Sequence, residues 1–154
     1  MLFDHPHDSL PVDASLSLPA SMDSWDALIS FTEEQTEDSP LSAAKKYGMK
    51  LAVEELLSNI IRANSSAQST SSPISVELLR FADPSEQQAL FLQIKDNGLP
   101  FDPHFDDLDE GVVDAPLKDR PIGGLGLLLV KKSVDHVCYQ HRDSCNIYRL
   151  ISSG

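Results

Sequence analysis

The strongest constraint in this sequence is a stretch of helical periodicity that runs from Leu41 to Ala63 and follows Pro40. Proline is favoured in the first turn of a helix, where its missing N–H would have no partner. With about 100° of rotation per residue, one arc of this helix is entirely apolar. That arc consists of Met49, Val53, Leu56, Leu57 and Ile60. A helix of roughly six turns with one apolar stripe needs another layer to pack against.

Segments with period-two alternation supply that layer. In the first, apolar residues from Val12 to Leu18 alternate with polar ones, and Pro19 ends the pattern. The second and third flank the turn residues Asp83-Pro84-Ser85-Glu86 and are predicted to form an antiparallel hairpin. The predicted strands are 12–18, 73–82, 89–95, 136–141 and 146–151.

A shorter helix is predicted between the first strand and the long helix. Ser21 or Asp23 could cap it, and it would continue to about Gln35. Four acidic residues close the segment, although acidic side chains are unfavourable near a helix C-terminus. They are predicted to mark either fraying or a partner surface, and they are Glu33, Glu34, Glu37 and Asp38.

The order of these elements predicts an α+β protein. Strand, helix, helix, hairpin, loop, helix and hairpin follow one another, which predicts one antiparallel or mixed sheet with helices on a single face. The other face of the sheet is expected to be free. Residues 1–11 are predicted to be a flexible N-terminus, and residues 12–152 are predicted to form a single domain.

Charge and composition exclude several classes of function. The net charge is −12 without a basic patch, so a nucleic-acid backbone would be repelled. No apolar run approaches membrane-spanning length, and the first residues lack the basic and apolar regions of a secretory signal. The two cysteines, Cys138 and Cys145, are too few for a disulfide framework and are expected to be reduced. We therefore expect a cytoplasmic protein that binds neither nucleic acid nor membrane.

The polar side of the long helix carries a candidate for metal-phosphate chemistry. Glu55 and Asn59 are four residues apart, so their side chains stand one above the other. Gly48 and Ala52 fall in the same sector and would leave room for a ligand. An amide oxygen suits Mg²⁺, and a carboxylate can orient or deprotonate a hydroxyl. The alternative is a solvated helix face.

A second candidate follows the third predicted strand, at Asp96-Asn97-Gly98. A carboxylate at a strand end can accept a hydrogen bond from an exocyclic amine, and a glycine lets a planar ring lie close. The alternative is an ordinary turn, for which Asp, Asn and Gly are the usual residues.

A glycine-rich segment precedes the last predicted helix. Gly123, Gly124 and Gly126 stand before an apolar helical stripe that includes Leu127 and Val130. A helix entered through glycines presents unpaired N–H groups and a positive dipole end, which suit phosphate. A tight turn is the alternative. The spacing matches neither the dinucleotide-binding motif nor the P-loop.

The chain before these glycines is long, acidic and without periodicity, so it is either disordered or a lid over a site. Lys118 and Arg120 are its only lysine and arginine, and both are close to the glycines. They either offset the charge of a phosphate or pair at the surface with Asp119.

Three of these segments, taken in order, resemble the nucleotide-binding boxes of the histidine-kinase-like (GHKL) ATPase fold. The segments that resemble the N, G1 and G2 boxes are Ala52-Val-Glu-Glu-Leu-Leu-Ser-Asn59, Asp96-Asn-Gly-Leu-Pro-Phe-Asp102 and Arg120-Pro-Ile-Gly-Gly-Leu-Gly126. Within that fold the chain is most similar to the stand-alone anti-sigma-factor serine kinases of bacterial partner-switching systems. The resemblance implies a two-layer α/β sandwich, mostly antiparallel, that binds ATP and Mg²⁺ beneath a lid at about residues 103–122.

The resemblance also implies an activity and partners. Kinases of that family phosphorylate a serine of a STAS-type anti-sigma-factor antagonist and, by turns, sequester a sigma factor. Homodimers occur among them. The implied function is therefore that of an ATP-dependent protein-serine kinase and anti-sigma factor. The alternative is a regulatory module that holds nucleotide and sequesters protein partners without kinase activity.

Roles for individual residues follow from the same resemblance. Glu55 resembles the catalytic base and Asn59 the Mg²⁺ ligand, while Asp96 would bind the adenine amino group and Gly98 would line the base. The segment that would hold the phosphates comprises Gly123, Gly124, Leu125, Gly126 and Leu127. The chain departs from the family at Ala63-Asn64, where members often have His-Ala.

Overall fold

Five strands and three helices make up the computed structural model, which describes residues 10–66, 74–82, 88–100, 103 and 124–154. The strands are β1 (Val12–Pro19), β2 (Ser75–Phe81), β3 (Ala89–Asp96), β4 (His136–Arg142) and β5 (Cys145–Ser153). The helices are α1 (Trp25–Glu37), α2 (Ala43–Ser66) and α3 (Gly124–Ser133). Most of the predicted N-terminal segment and nearly all of the predicted lid, with Lys118, Arg120 and Gly123, lie outside the described residues.

The strands form one sheet in the order β1-β2-β3-β5-β4, and each pairing between the described strands is antiparallel. The α+β prediction is therefore confirmed. The last strand enters between β3 and β4, which brings Asn146 opposite Asp96 and Tyr148 opposite Ile94. This register places polar residues of the C-terminal hairpin at the end of β3.

The core lies between the sheet and the apolar stripe of α2, as the periodicity predicts. Met49, Val53 and Leu57 have no exposed surface, and the sheet residues Val76 and Ile94 in the same cluster have none either. Truncation of such a side chain to alanine costs about 2–5 kcal/mol of the free energy of unfolding. No helix among the described residues is long and apolar enough to cross a membrane.

The opposite face of the sheet is not free, which corrects the prediction. Its central side chains are almost completely buried, and they are Phe81, Phe91, Gln93, Ile147, Arg149 and Ile151. The rings of Phe81 and Phe91 pack with centroids 5.1 Å apart. The physical reason is in the strands themselves, because four of these positions carry aromatic or β-branched residues where a solvated face would have polar ones. The two polar residues are bonded to each other, since Arg149 Nε donates to Gln93 Oε1 at 3.0 Å.

The start of α1 differs from the prediction. Neither Ser21 nor Asp23 caps the helix through its side chain, because the chain enters α1 by a short 3-10 turn at Met22–Ser24. The Ser21 carbonyl accepts the Ser24 N–H at 3.1 Å, so a backbone bond performs part of the capping.

The acidic end of α1 is not frayed. The helix continues to Glu37, and Glu33 and Glu37 form ion pairs with Lys50 and Lys46 of α2, at 2.8 and 3.7 Å. The hydrogen bond from Lys50 to Glu33 raises the pKa of this lysine. Beyond the helix, Asp38 pairs with Arg80 of β2 at 2.9 Å. These partners come from other elements, α2 and β2, and offset the unfavourable charge at the helix end.

The small residues of α2 serve helix packing, which corrects their predicted role. Ala52 is fully buried, and a Cβ added to Gly48 would lie 2.3 Å from the backbone oxygen of Ser133 in α3. Helix α3 therefore occupies the space at Gly48 that was predicted to be left for a ligand. The close approach fixes the position of α3 along α2.

Gly48→Ala tests this packing. Helix propensity alone would stabilise the alanine variant by about 1 kcal/mol, but backbone overlap with Ser133 is expected to reverse the sign. We expect a net loss of about 1–3 kcal/mol in the free energy of unfolding, measured with urea. The control is Ala44→Gly at an exposed position of α2, where propensity alone predicts a loss of about 1 kcal/mol. A more stable Gly48→Ala protein would contradict the packing described.

Candidate functional site

A cavity of about 240 Å³ opens between α2, the end of β3 and strand β5. Its wall combines apolar side chains with carboxylate, amide and hydroxyl groups, a composition typical of small-molecule sites. The lining residues are Asn59, Ile60, Ala63, Asn64, Asp96, Leu99, Pro100, Asn146 and Tyr148. The structure thus brings two predicted site residues, Asn59 and Asp96, into one cavity.

Asp96 is the buried carboxylate of this cavity, with 4% of its surface exposed. Its Oδ1 accepts hydrogen bonds from the Gly98 backbone N–H at 2.9 Å and from Asn146 Nδ2 at 3.0 Å. Burial raises the pKa of Asp96, and the hydrogen bonds from Asn146 and Gly98 oppose part of that rise. Both bonds end on Oδ1, so within the described part of the chain Oδ2 is left to accept from a ligand amine.

Asn146 is oriented by a residue of the neighbouring strand. The Tyr139 hydroxyl donates to Asn146 Oδ1, and Asn146 Nδ2 donates to Asp96 Oδ1 and to the Leu99 carbonyl at 2.8 Å. Because the amide oxygen is held by Tyr139, its nitrogen faces the carboxylate. The ring of Tyr139 also packs on Tyr148, with centroids 5.2 Å apart. The relay therefore runs from β4 through β5 to β3.

Tyr139 and Asn146 were not predicted as parts of the site, because the C-terminal strands show in sequence only the residue types that form strands. Asn146 is directly opposite Asp96 in the β3–β5 pairing, and Tyr139 is opposite Tyr148 in the β4–β5 pairing. An inward polar residue at the start of a strand is a signal, but it points to Asp96 only when the register is known.

Gly98 has no room for a side chain. A Cβ at this position would lie 2.8 Å from Asn64 Oδ1 and 3.0 Å from Asp96 Oδ1. Both distances are shorter than ordinary contacts, so the glycine lets α2 and the end of β3 approach each other here. The proximity of Asn64 was not predicted.

Glu55 lies against the glycine segment at the start of α3. A Cβ added to Gly126 would be 2.6 Å from Glu55 Oε2, so the carboxylate borders the first turn of that helix. The first N–H groups of a helix have no partner within it and form the positive end of its dipole. The structure thereby joins two predicted segments, the acid of α2 and the glycines before α3.

The other predicted phosphate-binding residues are placed less completely. Gly124 is the first residue of α3, while Gly123 and the side chain of Leu125 lie outside what the structure describes. The side chain of Leu127 belongs to the hydrophobic core, so only its backbone could contact a phosphate. The roles of these residues remain predictions.

The residues around Asn59 fit a metal that is held mainly by a nucleotide. Within the described ranges, no group of three or more histidine, cysteine or acidic side chains could form a metal cage. Mg²⁺ commonly takes one or two protein oxygens and completes its shell with waters and phosphate oxygens. Asn59 supplies one such oxygen on the cavity wall, one helical turn from Glu55.

Comparison with known families agrees with this geometry. The family model described as a histidine kinase-like ATPase domain matches residues 18–152. The chain belongs to the histidine kinase-like ATPase family. No curated protein sequence matches it. Membership in an ATPase family implies ATP binding, and the groups of the Asp96 cavity suit an adenine.

Asp96→Asn separates the stability of this ATPase domain from its ligand binding. Asparagine retains an oxygen for Gly98 and Asn146 but replaces the free acceptor with a donor, so ATP affinity should fall at least about tenfold. Because the pKa of Asp96 is raised in the folded protein, the wild-type protein loses stability as pH rises through that folded pKa. At pH 7 the nucleotide-free variant should therefore melt at a higher temperature than the wild type. This gain should disappear as pH falls towards the ordinary aspartate value of 3.8. A variant with unchanged ATP affinity would contradict the role of Asp96.

Tyr139→Phe tests the relay without changing a cavity residue. Loss of the hydroxyl frees the Asn146 amide to turn, and the hydrogen bond that lowers the pKa of Asp96 should weaken. As pH is lowered, the ATP affinity of Tyr139→Phe should then begin to decrease at a higher pH than the affinity of the wild type. Tyr47→Phe, at an exposed tyrosine of α2, is the control. An unchanged pH profile in Tyr139→Phe would show that Tyr139 does not act through Asp96.

Proposed function

We propose that this chain is an ATP-dependent protein-serine kinase that also acts as an anti-sigma factor in a partner-switching module. The observation that carries the proposal is the position of Glu55, which borders Gly126 at the start of α3 and stands one turn from Asn59 in the Asp96 cavity. A domain that only holds nucleotide has no need of a carboxylate beside the phosphate-binding segment.

The groups beside α2 and on it are arranged in an order that suits a bound ATP. Asp96 Oδ2 would accept the adenine amine at one end of the site, and the N–H groups at the start of α3 would hold phosphates at the other. Asn59 lies between them as the protein ligand of Mg²⁺, which when bound would neutralise phosphate charge. Phosphoryl transfer asks the protein mainly for this positioning and charge neutralisation.

Glu55 is the proposed base of the transfer. A substrate serine oxygen attacks the γ-phosphorus of ATP, a new P–O bond forms, and the bond to the leaving ADP oxygen breaks. The serine proton passes to the Glu55 carboxylate. Glu55 projects from the middle of α2, which is held on both sides by the sheet and by α3, so its position is fixed before substrate arrives.

The proposed protein substrate is a small STAS-type anti-sigma-factor antagonist, and the proposed second partner is a sigma factor. The proposal includes a homodimer, for which β1 offers a surface because it is the outer strand of the sheet beside β2. An outer strand presents unpaired backbone groups that can pair with a second chain. The net charge of −12 favours protein partners with basic surfaces over nucleic acid.

Glu55→Gln is the direct test of kinase activity. Transfer of labelled phosphate from ATP to the antagonist should fall at least about 100-fold, because the variant cannot accept the serine proton. ATP affinity should change little, since the variant retains the shape of the side chain. Glu54→Gln, the adjacent acid of α2, is the matched control and should transfer phosphate at the wild-type rate.

The acceptor for this assay is obtained by capture from native lysate with and without ATP, followed by mapping of phosphoserine on the small partner. Unchanged transfer by Glu55→Gln would remove the catalytic role of Glu55. A wild-type protein that binds ATP and the antagonist but transfers no phosphate would instead support the sequestering module.

A further inference from the structure

The side-chain amide of Asn64 includes a buried polar group. Its amide nitrogen is buried and has no hydrogen-bond partner among the described residues. Such a group loses its bonds to water and gains none from the protein, which destabilises the folded state. An asparagine near the end of a helix often bonds to nearby backbone, but the Asn64 amide nitrogen makes no such bond to the residues that the structure describes.

The position of Asn64 explains why a residue with this destabilising effect is present. Asn64 lines the cavity that contains Asp96, and the two side chains approach the same point above Gly98. Since Asn64 Oδ1 and Asp96 Oδ1 both lie within 3.0 Å of that point, they are at most about 6 Å apart. Both residues line the cavity, and among the described residues no hydrogen bond is made by Asp96 Oδ2 or by the Asn64 amide nitrogen.

A donor amide and an acceptor carboxylate on the wall of one cavity match the edge of an adenine. The exocyclic amine of adenine donates, and the ring nitrogens on either side of it accept. Guanine has the opposite arrangement on its Watson–Crick edge, where O6 accepts and N1–H donates. Rotation of the Asn64 amide about its last torsion angle exchanges its nitrogen and oxygen, so the nitrogen can face a ligand.

We propose that the Asn64 side-chain amide donates a hydrogen bond to an adenine ring nitrogen that flanks the exocyclic amine. Asn64 is then a specificity-determining residue that acts together with Asp96. This inference rests on ATP binding as proposed above. It assigns a ligand-binding role to the position where the chain departs from its family, at Ala63-Asn64.

Asn64→Leu distinguishes a ligand-binding role from a structural one, because leucine has a similar shape and no polar atoms. Removal of an unsatisfied polar group should raise the melting temperature of the nucleotide-free protein. Loss of the donor should weaken ATP binding about tenfold. A structural hydrogen-bonding residue would show the opposite effect on stability, since its replacement by leucine lowers the melting temperature.

A double-mutant cycle with modified nucleotides identifies the acceptor. ATP, 1-deaza-ATP and 7-deaza-ATP are titrated against the wild type, Asn64→Leu and Asn64→Ala. For one of the two analogues, the wild type should lose about tenfold in affinity relative to ATP, whereas both variants should lose almost nothing. GTP affinity should change less than ATP affinity in either variant.

The outcomes separate this inference from the proposed function. A wild-type protein that binds ATP, with variants that lose affinity equally for ATP and both analogues, would overturn the role of Asn64 and leave ATP binding intact. A folded wild-type protein that does not bind ATP would overturn the proposed function itself. A lower melting temperature of Asn64→Leu without nucleotide would also overturn the inference.

Discussion

The candidate site depends on a carboxylate that is almost entirely removed from water. Burying Asp96 raises its pKa and costs stability, so the surrounding structure must supply donors and hold them in place. Gly98 does so through the turn after β3, and Asn146 does so through the pairing of β3 with β5. Tyr139 then fixes Asn146 from the next strand. The strand order β3-β5-β4 is therefore also the order in which the groups that orient Asp96 are connected.

Helix α2 connects this carboxylate to the proposed chemistry. One face of α2 is in the core, and its flank presents Glu55, Asn59 and Asn64 within three turns. Glu55 meets the start of α3, whereas Asn59 and Asn64 line the Asp96 cavity. Close packing at Gly48 holds α3 against α2, so the distance between the Glu55 carboxylate and the glycine segment is set by helix packing.

Much of this architecture could be predicted from the sequence because periodicity is a local property. Alternation identified the strands, and the apolar arc of α2 identified the helical side of the core. The resemblance to the boxes of the ATPase fold also grouped Glu55, Asn59 and Asp96 as site residues. The predictions that were wrong concerned contacts between different helices and strands. A helical projection shows that Gly48 is small but does not show that Ser133 lies opposite, and it does not show that Lys46 and Lys50 pair with the end of α1.

For the same reason, only part of the site could be predicted from the sequence. Asn146 and Tyr139 join Asp96 only after the register of three strands is fixed, and one residue of slippage would turn them to the other face. The opposite face of the sheet was expected to be free because the order of the elements predicts helices on a single face. Its buried aromatic and β-branched side chains show that the strand sequences were the better guide.

The most direct measurement is a nuclear magnetic resonance titration of the ¹⁵N-labelled protein with ADP. Adenine bound at Asp96 should shift the backbone amide of Gly98 and the side-chain amide of Asn146 together, with one dissociation constant. The groove between α1 and α2, lined by Lys46, Tyr47 and Lys50, provides reference signals that should stay in place. Shifts confined to that groove, with Gly98 and Asn146 unchanged at saturating ADP, would contradict the account.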